Sequence, residues 1–176
     1  GDDVLTAPDF IPLGDADAFD SHIIFAAKPF QYGTGDAVEE YLYYMGGNGP
    51  HDGDRDSAFG LAKLRPHGFA CVRKETGASV YFRTPSLLVT SATLAVTADF
   101  IGEGSLRLGV VPDGADTSPP ELDLDNSVAL TADATDVPMV FLEDADLTSL
   151  IGTTVQLLVS LEGEGEVLLY TLGFGA

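Results

Sequence analysis

Apolar and polar positions alternate with a period of two along most of the chain, and stretches of period 3.6 are short. β-branched and aromatic residues fill the alternating runs, and Gly, Pro, Asn and Asp separate them, so the pattern predicts strands joined by turns. Two groups of strands follow. The first holds four, at 22–29 (HIIFAAKP), 39–46 (EEYLYYMG), 57–65 (SAFGLAKLR) and 68–75 (GFACVRKE). The reversal at Pro66-His67-Gly68 is tight, with proline setting φ and glycine permitting a positive φ. Four consecutive antiparallel strands with short connections form a meander the size of one propeller blade.

The second group has strands at 79–84, 86–90, 92–99, 104–111, 127–131, 138–142, 154–161 and 166–174. Leu94, Val96 and Ala98 share one face of their strand, as do Leu106, Leu108 and Val110 of theirs. "SLEGEGEVLL" reads as a hairpin turning at Gly163 and Gly165, and Leu147–Gly152 as one helical turn stopped by Gly152. This group predicts a sandwich of two antiparallel sheets. The expected fold is therefore all-β: a four-stranded antiparallel blade-like meander packed on a two-sheet antiparallel β-sandwich. Residues 1–76 form an acidic N-terminal arm plus the blade, and residues 77–176 the sandwich. Packing of the two is expected because a lone blade cannot bury both of its faces.

Composition narrows the picture. Hydrophobic residues make up 45% of the 176, enough for a core. No apolar run approaches the roughly 20 residues of a membrane-spanning helix. The start, Gly1-Asp2-Asp3, is acidic, unlike the basic beginning of a signal peptide, so the chain reads as processed or as a piece of something longer. The single cysteine, Cys71, excludes an internal disulfide and is expected to pack as a small apolar side chain.

Formal net charge is −20, from 28 acids against 8 bases. Arg107 is the one base after residue 83. Such a balance excludes direct binding to nucleic acid or to an anionic membrane, both of which require positive charge on the protein. It leaves a basic protein or divalent cations as partners, or a hydrated surface suited to a saline, marine or extracellular setting.

The blade segment and the tail resemble a known family. "AFDSHIIFAA" and "YLYYMGGNGPHDGDRDSAFGLAKLRPHGF" are similar to the closing blade of five-bladed-propeller glycoside hydrolases, the invertase and fructosidase-like group of family 32. The residues that carry this are Phe19-Asp20-Ser21, Leu42-Tyr43-Tyr44, Gly46-Gly47, His51, Gly53, Gly60-Leu61-Ala62, Leu64-Arg65 and Gly68-Phe69. "DLTSLIGTTVQLLVSL" and "VLLYTLGF" resemble the β-sandwich appended to those propellers. The likeness covers about residues 10–174. In that family a carboxylate nucleophile and a carboxylic acid/base from early blades cleave the sugar bond. Motifs of the W-x-N-D-P-N-G, R-D-P and E-C type supply them, and none occurs here, nor does any tryptophan. The resemblance thus implies a non-catalytic structural or interaction module whose blade face is covered by a partner chain or by missing catalytic blades. The alternatives are the C-terminal portion of an active glycosidase and a carbohydrate-binding sandwich.

Several residues are candidates for chemistry. His51, Asp52 and Arg55 face a ligand in one reading of the 48–56 loop, with Asp52 orienting the histidine. In the other they belong to a hydrated Gly-rich turn in which Arg55 pairs with a neighbouring acid. Asp52, Asp54 and Asp56 alternate like the start of an EF-hand loop. Ser57 and Lys63 stand where that loop needs Gly and Glu, so only a looser calcium site stays open and no cofactor is expected. Asp20 and His22 open the first blade strand, where a full propeller would place them toward a sugar, and where a lone blade leaves an exposed acid. Tyr41 and Tyr43 share a strand face, as a sugar-stacking platform or as core.

Overall fold

The computed structural model describes residues 10–175 and is all-β, built from twelve strands with a few short 3-10 turns. Residues 1–9 of the expected acidic arm lie outside the described residues. The chain divides into two compact units, up to Phe69 and from Ala70 onward.

The first unit is one antiparallel sheet. β3 (Glu39–Gly47) is its centre. β4 (Ser57–Leu64) runs along one side in unbroken register from Gly47↔Ser57 to Glu40↔Leu64. β1 (Ile23–Ala26) and β2 (Phe30–Tyr32) share the other side, pairing the two ends of β3. The segment 22–32 is therefore one interrupted strand. Proline at 29 has no amide for the ladder, which accounts for the gap.

The expected fourth blade strand belongs elsewhere. Of residues 68–75 only Val72–Lys74 (β5) forms a strand, and it pairs with the last strand of the second unit. The reason is local chemistry. Lys74 has no exposed surface, and its ammonium donates to the carbonyls of Glu75 (3.3 Å), Gly163 and Gly165 (2.5 Å). Arg73 pairs with Glu166 at 2.7 Å across the same two strands. A buried ammonium needs such a cluster of acceptors, and the 163–165 corner supplies two of the three.

The second unit is a sandwich. One sheet has the order β10 (Ala134–Pro138), β8 (Leu94–Ile101), β12 (Glu166–Phe174), β5. In the other, β11 (Thr154–Glu162) pairs with β9 (Ser105–Pro112) on one side. On its other side it pairs with β6 (Val80–Arg83) and β7 (Leu87–Leu88) in turn. Val96, Ala98, Leu106, Leu108, Leu157 and Val167 are fully buried and belong to one core that both sheets share. Burial of such side chains, about 1.5–3 kcal/mol each, makes the alternation read in the sequence the main force holding the sheets face to face.

Two connections differ from the sequence reading. β11 and β12 are not a hairpin: they lie in different sheets, so residues 163–165 form an arch. The β8–β9 connection is a second arch, and the two corners nest backbone to backbone, with the Gly165 amide donating to the Glu103 carbonyl at 2.6 Å. A Cβ on Gly165 would stand 2.4 Å from the Ile101 carbonyl oxygen, so glycine is required by this contact. The strands expected at 127–131 and 138–142 are shorter than read. Ser127 bridges Phe141 and Leu130 bridges Leu106, while the regular strand there is β10. The 3-10 turn Thr148–Leu150 followed by Gly152 at φ +83° agrees with the expected helical turn and stop.

A bulge in β12 carries a sequence signature. Pairing with β8 shifts between Leu169 and Thr171. Inward side chains therefore change parity, from Val167 and Leu169 to Leu172 and Phe174.

Candidate functional site

The polar residues singled out in the sequence do not converge. His22 is exposed, and its amide donates to the Gly47 carbonyl at 3.1 Å. His51 and Asp52 are exposed in the 48–56 turn, and the His51 ring meets Phe25 edge-on at 5.6 Å. Arg55 bonds to backbone carbonyls, and among the described residues no acid pairs with it. Its guanidinium donates to the carbonyls of Pro50 (2.9 Å) and His51, closing the turn on itself. Its stem lies on Gly47, where a Cβ would come within 2.8 Å of it. Asn48 completes the closure, its side chain accepting from the Asp56 amide at 2.8 Å. Among the described residues no three His, Cys, Asp or Glu side chains gather as a metal site would require.

Asp20 is not the exposed acid expected of a lone blade. It is 8% exposed, with its carboxylate accepting from the Tyr44 hydroxyl at 2.8 Å. The segment before β1 crosses the sheet here. Asp20 and Phe19 rest on Gly46, where a Cβ would stand 2.4 Å from the Asp20 Cβ. Phe19 stacks on Tyr44, and the Tyr44 ring covers Gly60 of β4, leaving no room for a side chain there. The bond to Asp20, partial burial and repulsion of a phenolate by the carboxylate together raise the Tyr44 pKa above its ordinary 10.0. The Gly46-Gly47 and Gly60 positions that carried the family resemblance are thus, in this chain, the places where side chains cross over the backbone.

The other face of the same sheet is open. The register sets Phe25, Met45 and Phe59 in one row, Tyr43 and Leu61 in the next, then Phe30, Tyr41 and Lys63. Tyr32 ends the array opposite Glu39. Rings lie side by side: Phe30 and Tyr43 at 6.1 Å, Tyr32 and Tyr41 at 5.0 Å. Exposure runs from 39% at Leu61 through 48% at Tyr43 to 82% at Phe59. Tyr41 and Tyr43 share a face as expected, but Tyr43 is not core. The Lys63 ammonium stands 4.8 Å from the Tyr41 ring centre and 3.3 Å from the Glu39 carboxylate, and both neighbours raise its pKa, Tyr41 more strongly. Sequence reasoning overlooked Phe30, Tyr32 and Phe59. The signal was present in the alternation of "EEYLYYMG" against "SAFGLAKL", which puts Tyr41, Tyr43 and Phe59 on one side and leaves Tyr44 alone on the other.

In the second unit a shallow groove of about 340 Å3 is lined by Cys71, Val72, Phe82 and Leu172 among others. Cys71, which immediately precedes the edge strand β5, is exposed rather than packed as core. A groove of about 390 Å3 is lined by Arg83, Asp116, Asp123 and Asp125. Its Arg83 is occupied with Gln156 and the Asp116 carbonyl. Neither groove contains Asp20, His22, His51, Asp52 or Arg55.

No family model, curated protein or solved structure matches the chain. Among the described residues no helix is long and apolar enough to cross a membrane.

Proposed function

We propose that this chain is a non-catalytic interaction module, related in ancestry to the closing part of a propeller glycoside hydrolase, that docks on a protein partner through the aromatic face of its first unit. The observation that carries the reading is the size and order of that face. Phe25, Phe30, Tyr32, Tyr43, Phe59 and Leu61 are each 39% exposed or more. At roughly 200 Å2 per large side chain, the six leave on the order of 600 Å2 of apolar surface open. That is at the upper end of the roughly 300–600 Å2 found for the largest patch on a monomer, and approaches the ~800 Å2 each partner gives a standard interface. Aromatic side chains are also the residues enriched at the centres of such interfaces.

The buried acids support the non-catalytic part of the reading. Asp20 and Glu40 are already engaged, by Tyr44 and by the Gln31 amide at 3.0 Å. A second reading draws on the three tyrosines, Tyr32, Tyr41 and Tyr43, whose rings and hydroxyls suit a sugar; glycan-array binding lost on Tyr32→Ala would favour it. The glycosidase alternative predicts turnover of fructosides when the catalytic blades are supplied.

Light scattering and binding of a hydrophobic dye test the docking reading. The expected result is dye binding, or assembly in place of it, with either one weakened by Phe59→Ser. A monomer that binds no dye overturns the proposal.

A further inference from the structure

The open aromatic face adjoins an open edge. In β3, the Tyr43 and Gly47 carbonyls accept from Ala27 and His22, on the β1 side. The Asn48 amide donates to Asp56, at the start of β4. By the alternation of an antiparallel ladder, even-numbered β3 residues therefore bond to even-numbered β4 residues. Ser57, Phe59, Leu61 and Lys63 then direct their amides and carbonyls outward. Among the described residues β4 has no ladder partner on that side. The usual protections of an edge are few: the eight residues contain no proline and no bulge, and Lys63 is their one charge.

The geometry points to β4 as a strand-accepting edge whose occupant is β4 of a second copy of this chain, paired antiparallel about a two-fold axis at Gly60. The inference rests on the docking role given to the aromatic face, and names its partner. Three observations select self-pairing. Charge is polarised along the edge: Asp52, Asp54 and Asp56 precede β4 and are exposed, whereas near its far end Lys63 offsets Glu39. Antiparallel self-pairing sets the acidic end of each copy beside the lysine-bearing end of the other, whereas a parallel pairing would set the two acidic ends side by side. The Gly60 register places Phe59 opposite Leu61 of the second copy, twice over, so the most exposed ring in the sheet gains an apolar neighbour. Finally, both aromatic faces join into one continuous surface, with the underside at the axis already filled by Tyr44 over Gly60.

Leu61→Pro tests this directly. Its amide faces outward, so proline removes a donor from the pairing edge while leaving the β3 ladder intact. Wild-type chain is expected to double its mass with rising concentration, and the Phe59, Leu61 and Lys63 amides to gain exchange protection in step. Leu61→Pro should stay monomeric, keep its circular dichroism and still bind dye. Phe59→Lys, which places a charge on the same edge, serves should the proline variant not fold, and should likewise stay monomeric. In a Cys71→Ser background, Ser57→Cys with Lys63→Cys should yield a disulfide-linked dimer. A folded Leu61→Pro or Phe59→Lys that dimerises like wild type overturns the edge pairing, as do outward amides left unprotected in the dimer. A wild-type monomer that binds dye overturns self-pairing and leaves the aromatic docking face standing; a monomer without dye binding overturns both.

Discussion

The two units use the same alternating pattern to opposite ends. In the second, the alternate residues of two sheets meet: Leu106, Leu108, Leu157 and Val167 have no exposed surface. In the first, a single sheet has one side crossed by Phe19 and Asp20, and the other left to a row of rings exposed by up to 82%. Period-two alternation therefore specifies a face, but not whether that face is buried. Residues that look equally apolar in sequence differ in what they hold together. Those of the sandwich maintain the fold, and those of the sheet's open side remain exposed.

Substitutions can break this contrast, beginning in the core. Leu157→Ala should destabilise the second unit by about 2–5 kcal/mol in chemical denaturation, through lost transfer energy and the cavity left behind. Lys74→Met should cost about 2–3 kcal/mol, because the carbonyls of Gly163 and Gly165 lose their donor at the nested corner. A destabilisation below that of a surface substitution would show that the corner holds without its ammonium. In the first unit, Tyr44→Phe leaves the Asp20 carboxylate without its donor and should cost about 1–2 kcal/mol. The raised Tyr44 pKa adds a sign: its contribution is full below pH 10.0 and is lost as pH rises through the higher folded value, so alkaline titration should melt wild type but change Tyr44→Phe less.

At the small end, Phe59→Ser should shift stability by no more than about 0.5 kcal/mol while reducing dye binding or assembly, which separates binding from folding on one strand. A smaller effect still belongs to Glu162. Hydrogen bonds from Tyr81 and then Ser160 hold its carboxyl below the ordinary 4.5. Its contribution is present above that value and lost as pH falls through the folded one, so Glu162→Gln should flatten the acid limb of a stability profile below about pH 4.5.

Much of the architecture was legible. Strand positions at 39–47, 57–64, 94–101, 105–112, 154–162 and 166–174 follow from alternation and turn residues with errors of a residue or two at the ends. Pairing was less legible. "SLEGEGEVLL" has the glycines of a hairpin, yet turns from one sheet to the other, because turn residues report a reversal and not what the flanking strands bond to. The polar candidates are ambiguous for a related reason. Asp, His and Arg in a Gly-rich loop suit both a ligand and the loop's own carbonyls, and Arg55 satisfies the carbonyls.

The sequence by itself determined the all-β class, the positions of the long strands and which of their side chains share a face, since each depends on backbone geometry over two to eight residues. Only the tertiary structure decided where β5 pairs, which connections are arches, that Asp20 lies under Tyr44 and that the aromatic side of β3 stays open. Those outcomes are settled by contacts across long separations, as between Arg73 and Glu166, 93 residues apart. There, burial and hydrogen-bond satisfaction across the whole unit outweigh any local preference.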